Sequence, residues 1–147
     1  MRELKFRIGC ISGNVFRYLD KDELFNLYRL NPYDGSLIAK DNGRNVVAPR
    51  KAYVIEQYTG LKDKNGKEIY EGDILKWKHI YPFLLQGTRQ SKEYIDRVYW
   101  EEKDASFVVG DWFEPLGHLA EEDDIEVIGN IHEDEELLEA KNEIREN

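Results

Sequence analysis

The order of apolar and polar residues predicts two short strands at the start of the chain. Leu4, Phe6 and Ile8 alternate with basic residues, which is the period-two pattern of a half-buried strand. A Ser-Gly-Asn turn follows, and a second run of strand formers comes after it. We therefore predict that residues 4–19 form a hairpin.

A short helix and a further pair of strands are predicted next. Asp20 and Glu23 stand three residues apart, as in a capping box with Asp in place of Ser or Thr. Apolar residues then follow at helical spacing, which predicts a helix over 21–29. A cluster of turn formers ends it. Short strands are predicted around 37–39 and 46–48, separated by an Asp-Asn-Gly turn.

The rest of the chain is patterned mainly as strands. Between about residues 53 and 131, five or six short strands are separated by turns, at the spacing typical of a small antiparallel barrel. Residues 79–93 are predicted to be irregular, and residues 110–116 to form a loop. Residues 121–124 are interpreted as a solvated turn. Residues 133–145 are predicted to form a helix, with acids in its first turns and cations in its last.

These elements predict a mainly β, α+β fold. Its core is a small antiparallel β-barrel, for which an SH3-like barrel is one option, and an acidic helix ends the chain. The only internal boundary is expected near residues 49–51. This divides the chain into an N-terminal hairpin and helix subdomain, 1–51, and a barrel core with the C-terminal helix, 52–147. One domain over 1–147 stays open, since 147 residues can share one core.

Composition excludes several classes of protein. With 35% charged residues and a mean hydropathy of -0.69, the sequence is not that of a membrane protein. Its 41% hydrophobic content is too high for a disordered chain. No apolar stretch follows the first residues, so we expect no signal peptide. The lone Cys10 cannot form an internal disulfide and favours a reducing compartment.

Charge is unevenly distributed along the chain. The net charge is +4 over residues 1–55, +1 over 56–100 and -14 over 101–147. We interpret the acidic last third as a solvated surface, because charge patterning reports on solubility and association more than on fold. The alternative is a surface that engages a basic partner, even one that mimics nucleic acid.

No catalytic or metal-binding constellation is visible. His79, His118 and His132 lie far apart, and none stands at metal-ligand spacing from Cys10. We therefore expect no metal and no cofactor. One minor alternative is a hydrolase or transferase in which His79 and His118 converge with the acids between 111 and 124.

Lysines and aromatic residues supply the only candidate interaction surface. Small barrels bind single-stranded nucleic acid with such residues, but Glu68, Glu71 and Asp73 make this segment nearly neutral. Nucleic-acid binding is therefore the alternative and not the favoured function. A protein-binding module would instead expose an apolar patch on the loops at 80–85 or 112–116. The candidate surface comprises Lys62, Lys64, Lys67, Lys76, Lys78, Tyr81, Phe83, Trp112 and Phe113.

Two stretches resemble the YopX family of small phage and prophage proteins. Residues 57–74 read QYTGLKDKNGKEIYEGDI, and residues 126–133 read EVIGNIHE, with Glu-Leu-Leu shortly after. The opening Lys5-Phe6-Arg7 also matches the family's usual start. The chain departs from the family pattern at Ile8-Gly9, where Ala-Trp is common. Little is recognisable between Leu75 and Asp124.

The resemblance implies a bacterial or phage origin, a cytoplasmic setting and a β-rich fold. It implies no reaction, and no catalytic residue or cofactor is carried over. The first motif has the composition of a fold-defining β-turn-β element, and we interpret it that way. The favoured function is a non-enzymatic phage or prophage accessory protein that acts through protein–protein contacts. Homo-oligomerisation stays open, no membrane association is expected, and the partner is not identified.

Overall fold

The protein is mainly β, as predicted, and its contacts divide it into two units. The smaller unit is Phe6–Glu56, and the larger unit joins Met1–Lys5 to Gln57–Asn147. The computed structural model describes residues 3–26, 28–81, 90–110, 114–122 and 124–139.

The smaller unit contains short strands and one short helix. Its elements are β1 (Phe6–Ser12), β2 (Val15–Tyr18), α1 (Lys21–Asn26), β3 (Tyr28–Leu30), β4 (Leu37–Asp41), β5 (Arg44–Val47) and a 3-10 turn (Arg50–Ala52). The predicted hairpin is confirmed, because β1 and β2 pair antiparallel from Ser12↔Val15 to Gly9↔Tyr18. The predicted short strands around 37–39 and 46–48 are also present, as β4 and β5.

Helix α1 begins with the capping box that the sequence indicates. The Glu23 backbone N–H donates to Asp20 Oδ1 at 2.8 Å, and the Asp20 N–H donates to Glu23 Oε2 at 3.0 Å. The predicted extent of 21–29 is wrong, because the helix ends at Asn26 and β3 begins at Tyr28. Pairing of Tyr28 with Ala39 of β4 outweighs the helical spacing of the apolar residues.

A tight turn organises the three-stranded sheet β3-β4-β5. Asn42 (φ 46°) and Gly43 (φ 80°) both have positive φ, which is the geometry of a two-residue hairpin turn between β4 and β5. The hydrophobic core of the smaller unit consists of Ile8, Leu19, Leu37 and Tyr53.

The larger unit is built around a five-stranded antiparallel sheet in the order β11-β10-β9-β8-β12. Strand β6 starts in the smaller unit and continues into the larger one, where it pairs with β7. The elements are β6 (Tyr53–Lys62), β7 (Glu68–Tyr70), β8 (Asp73–Tyr81), β9 (Gln90–Glu101), β10 (Ser106–Val109), β11 (Glu114–Pro115), α2 (Leu116–Glu122) and β12 (Glu126–Asn130).

One face of this sheet carries the hydrophobic core of the larger unit. Alternate residues of neighbouring strands pack together there, as the two-residue period of a strand requires. Helix α2 adds Leu116 and Leu119 to the same cluster. The buried members are Ile69, Leu75, Trp77, Val98, Phe107, Val109, Leu116, Leu119, Ile125 and Val127.

Three sequence predictions in this unit are wrong. Residues 79–93 are not irregular throughout, because β8 and β9 stay in register out to Tyr81↔Gln90, and 82–89 lie outside the described residues. The predicted loop at 110–116 contains β11 and the start of α2, and the predicted turn at 121–124 begins inside that helix. Burial of Leu116 and Leu119 favours the helix despite the nearby Pro115.

The C-terminal helix starts later than the predicted residue 133. Residues 131–133 form a turn, and residues 136–139 are helical. Backbone hydrogen bonds from Leu137 N–H to Asp134 O (2.9 Å) and from Leu138 N–H to Glu135 O (3.0 Å) close the first turn. The remainder of the predicted helix lies outside the described residues. Within those residues, no helix has the length and apolar character needed to cross a membrane.

Candidate interaction surface

A buried carboxylate holds the turn between β6 and β7. Asp63 is 7% exposed, and its Oδ1 accepts hydrogen bonds from the backbone N–H groups of Asn65 (2.8 Å) and Lys67 (2.9 Å). Its Oδ2 accepts from the N–H of Val127 on β12 at 3.0 Å. Beside it, the Lys64 N–H donates to Ile125 O at 3.0 Å. Asp63 therefore joins the turn to a strand more than sixty residues away in sequence.

The hydrogen bonds of Asp63 also determine its charge. Burial raises the pKa of this carboxyl group, but the three backbone N–H donors, from Val127, Lys67 and Asn65, outweigh burial and leave the pKa below its ordinary value. The positive charge of Lys67 acts in the same direction. Asp63 is consequently ionised at neutral pH, as a carboxylate that accepts three N–H donors should be.

A second tight turn in the same motif is stabilised in a similar way. Asp73 is 1% exposed, and its Oδ2 accepts from the Tyr70 N–H at 2.8 Å. Gly72 has φ 78°, which favours glycine, and its N–H donates to Val98 O at 2.9 Å. The Thr59 hydroxyl donates to Ile69 O at 2.8 Å. These contacts support the interpretation that residues 57–74 specify the fold.

The C-terminal motif has the same character. Asn130 Oδ1 accepts from the N–H groups of His132 (3.0 Å) and Glu133 (3.1 Å). Asp134 Oδ2 accepts from the Asn130 N–H at 3.0 Å. A Cβ added at Gly129 would lie 2.5 Å from this same Oδ2 atom, so the position admits no side chain without movement. The polar side chains of this motif therefore also stabilise the local backbone conformation.

The opening Lys-Phe-Arg tripeptide uses both of its cations in ion pairs. Lys5 Nζ lies 2.6 Å from Glu68 Oε1, and this hydrogen bond raises the pKa of Lys5 and lowers that of Glu68. Arg7 Nε lies 2.7 Å from Oε2 of Glu56, which is 6% exposed. Both cations of this tripeptide are therefore engaged within the protein.

The predicted lysine surface is interrupted by acids. Lys64 lies 3.2 Å from Glu126 and 3.6 Å from Asp124, and Lys76 lies 3.2 Å from Glu93. Lys62, Lys67 and Lys78 are exposed, but Lys62 stands opposite Glu68 and Lys78 opposite Glu93 in the strand register. A surface in which acids alternate with lysines weighs against the nucleic-acid alternative, since such binding requires net positive potential.

The aromatic members of the predicted surface mostly fall where little is described. Phe83, Trp112 and Phe113 lie outside the described residues, and only the backbone of Tyr81, in β8, is described. The structure therefore does not place these side chains beside the lysines. Leu116, the last residue of the predicted loop and the first of α2, is fully buried in the core and exposes no apolar surface.

The residues of the enzyme alternative are described only in part. His79 lies on β8 and is half-buried, whereas His118 lies on α2 and is exposed. Asp124 is exposed and faces Lys64, and Asp111 lies outside the described residues. Among the residues that the structure describes, no three His, Cys, Asp or Glu side chains are grouped as metal ligands.

The smaller unit exposes large apolar side chains that the sequence analysis missed. Nine large apolar side chains are exposed among the described residues, and seven of them belong to this unit. The seven are Phe6, Ile11, Val15, Leu30, Tyr33, Val46 and Val47. The available signal was Val46-Val47 on a short strand beside a tight turn, since so short a sheet has little to cover it.

A shallow pocket lies in the same unit. Its volume is about 290 Å³, and Phe6 and Leu30 at its rim are 39% and 40% exposed. Helix α1 contributes Leu24, and Arg29 is the only charged residue of the lining. The pocket is large enough for one apolar side chain of a partner, with a cation beside it.

Comparisons with known proteins agree with the motifs. A family model described as YopX protein matches residues 14–139. The crystal structure of protein EF1440 from Enterococcus faecalis is similar, with 27% sequence identity and a TM-score of 0.52. That likeness covers 94% of this chain and 99% of the EF1440 chain. The comparison with curated proteins found no match.

Proposed function

The chain belongs to the YopX family, and we propose that it is a non-enzymatic accessory protein that binds another protein through its smaller unit. One observation carries this proposal. The 51 residues of the smaller unit hold seven of the nine exposed large apolar side chains among the described residues. Two of the seven, Phe6 and Leu30, line the same pocket, and exposed apolar side chains that lie together mark a surface that a partner covers.

The chemistry of the surface indicates the chemistry of the partner. The smaller unit carries eight Lys and Arg and six Asp and Glu, a net charge of +2, whereas the protein as a whole carries -9. Within the described residues, Arg29, Lys40 and Arg44 make no ion pair. A partner segment with an apolar side chain flanked by carboxylates would fill the pocket and meet Arg29.

The wider setting of the proposal follows from the family. A phage or prophage protein in the bacterial cytoplasm fits the YopX resemblance and the single cysteine. The five-stranded antiparallel sheet of the larger unit suits a small, SH3-like barrel that carries the binding unit. In this proposal the larger unit is a scaffold, and the smaller unit makes the contact.

Site-specific photo-crosslinking tests the proposal directly. A benzophenone amino acid is placed at Leu30, at the pocket rim, and in a second variant at Lys103, an exposed position in the larger unit. Both variants are expressed in the native host cell and irradiated. We expect a discrete heterologous adduct from position 30 and none from position 103.

The same experiment identifies the results that oppose the proposal. An adduct that forms equally at both positions, or only at position 103, would remove the smaller unit as the contact surface. The Arg29→Glu variant sharpens the test, because reversing the charge beside the pocket should weaken the adduct from position 30. Adducts that disappear on nuclease treatment would favour the nucleic-acid alternative instead.

A further inference from the structure

Strand β5 forms an open sheet edge, here called the valine edge (Arg44–Val47). It pairs with β4 on one side, and no strand of the described chain pairs with its other side. All four residues are exposed, with Val46 at 47% and Val47 at 62%. An open, partly apolar edge is a template for pairing with another strand.

The register shows which backbone groups point outward. The Ala48 N–H donates to Leu37 O at 2.8 Å, so these residues form a hydrogen-bonded pair. Such pairs alternate along antiparallel strands, and Val46 therefore bonds inward to Ala39, its partner in the register. Asn45 and Val47 direct their N–H and C=O groups to the open edge.

We propose that the valine edge pairs antiparallel with the valine edge of a second copy of this chain. The two-fold axis passes beside Val46, so each Val46 faces its counterpart. Asn45 of each copy then exchanges two backbone hydrogen bonds with Val47 of the other. The inference goes beyond the proposed function: β5 contributes no residue to the pocket, and it assigns Val46 and Val47, two of the seven exposed apolar residues, to a contact between copies.

The neighbouring registers are less favourable. If the two copies are shifted toward the β4–β5 turn, Asn45 lies opposite Asn45 of the other copy. Each Val46 then faces Arg44 of the other copy, and the contact between the two Val46 side chains is lost. Sliding them the other way places Asn45 opposite Pro49, which has no N–H to donate. In the proposed register Arg44 faces Ala48, and no two cations stand directly opposite each other.

The short edge predicts a weak, concentration-dependent dimer. Four backbone hydrogen bonds and a row of valines bury much less than the roughly 1,200 Å² of a stable interface. The pairing does, however, extend one apolar row, Tyr28–Ala39–Val46, into the same row of the second copy. Light scattering is expected to show monomer at about 5 µM and dimer at about 500 µM.

Cysteine crosslinking at adjacent positions tests the register. Cys10, the only cysteine, is replaced by Ser, and Val46→Cys or Val47→Cys is added. Opposed residues of a pair without mutual hydrogen bonds have Cα atoms about 4.5 Å apart, within disulfide reach. In the proposed register, the Cα atoms of the two residues at position 47 lie more than about 8 Å apart. Thiols introduced there are therefore beyond the reach of a disulfide. With diamide as oxidant, we expect a covalent dimer from Val46→Cys and little from Val47→Cys.

The control position makes the result decisive, because Val47 is the more exposed of the two. Equal crosslinking at both positions would indicate random collision and overturn the proposal. Crosslinking at neither position, or only at 47, would also overturn it.

A charge-swap experiment supplies an independent readout. Val46→Lys and Val46→Glu each place like charges across the axis and should abolish the dimer at about 500 µM. Mixing the two variants should restore a 1:1 heterodimer, since Lys then faces Glu. Failure of the mixture to associate, with both variants folded by circular dichroism, would refute the pairing. The photo-crosslinking experiment at position 30 keeps the native Val46, so its outcome reports on the proposed function separately from this result.

Discussion

Among the described residues, the larger unit holds five of the six buried polar side chains, all but Glu56, whereas the smaller unit holds seven of the nine exposed large apolar ones. Asp63, Asp73 and Asp96 are each less than 8% exposed, and all three belong to the larger unit. Only Leu4 and Trp100 are exposed large apolar residues there, within the described chain. Buried, bonded carboxylates specify one arrangement of turns, and exposed apolar residues leave a surface for a partner. Under the proposed function, the larger unit supplies the stable framework and the smaller unit makes the contact.

The largest expected difference between the units comes from truncating one apolar side chain in each. Leu75 on β8 is fully buried, and Leu75→Ala should destabilise the larger unit by about 2–5 kcal/mol, because it leaves a cavity. Val47→Ala, on an exposed edge, should change stability by less than about 0.5 kcal/mol.

The measurement can follow each unit separately. All three tryptophans, Trp77, Trp100 and Trp112, belong to the larger unit, so their fluorescence in urea reports on that unit. Amide hydrogen exchange covers the smaller unit. If Leu75→Ala lowers the free energy of unfolding by less than about 1 kcal/mol, this core can collapse around a missing side chain.

Replacing the buried Asp63 carboxylate should produce the next largest loss of stability. In Asp63→Asn an amide NH2 faces one of the three N–H donors, so the free energy of unfolding at pH 7 should fall by about 1–3 kcal/mol. Asp41→Asn, an exposed change in the smaller unit, should fall within about 0.5 kcal/mol of the wild type.

The effect of Asp63→Asn should depend on pH. The folded pKa of Asp63 lies below its unfolded value, so its ionisation stabilises the fold above the unfolded value, near pH 3.8. That contribution is lost as the pH falls through the folded pKa. Urea unfolding at a series of pH values should show the two proteins converging in acid. A gap that stays constant into acid would mean that the ionised carboxylate adds nothing.

Two glycines allow a matched comparison within the larger unit. Gly129→Ala places a methyl group against the Asp134 carboxylate and should cost about 1–3 kcal/mol. Gly117 on α2 has no atom within 4 Å of the added Cβ, and Gly117→Ala should stabilise by about 0.4–1 kcal/mol. Thermal unfolding followed by fluorescence compares them. Equal midpoints for both variants would contradict the close approach at Gly129.

The smallest effect is expected at the cap of α1. Asp20→Ala removes the side chain that accepts from the Glu23 N–H and should cost about 1 kcal/mol. Hydrogen exchange of the α1 amides is the sensitive measurement, with the exposed Lys21→Ala as control. Unchanged exchange rates in Asp20→Ala would show that packing alone holds this helix.

Features set by neighbours in sequence could be predicted. The Asp20–Glu23 box and the hairpin turn at Asn42-Gly43 have local signals, and both are present. The extension of β8 and β9 to Tyr81↔Gln90 depends on pairing between distant segments, which polar residues do not signal. Helix α2 was not predicted, because Pro115 and Gly117 are residue types typical of loops.

The candidate site was harder to predict than the fold. The five lysines are visible in the sequence, but the acids that stand beside Lys64 and Lys76 come from other strands. Val46 and Val47 resemble ordinary strand residues, and only the three-dimensional arrangement shows that nothing in the described chain covers them. Exposure depends on what packs against a residue, and one sequence does not state that.

The path of the chain also has a consequence for protein engineering. The chain leaves the larger unit after Lys5 and returns to it at Gln57. At this junction the Tyr58 N–H donates to Lys5 O at 2.8 Å. An insertion whose two ends meet on adjacent strands can be lengthened, shortened or exchanged without redirecting either strand. For an engineer, the junction at Lys5 and Gln57 is a natural grafting point for a foreign binding loop.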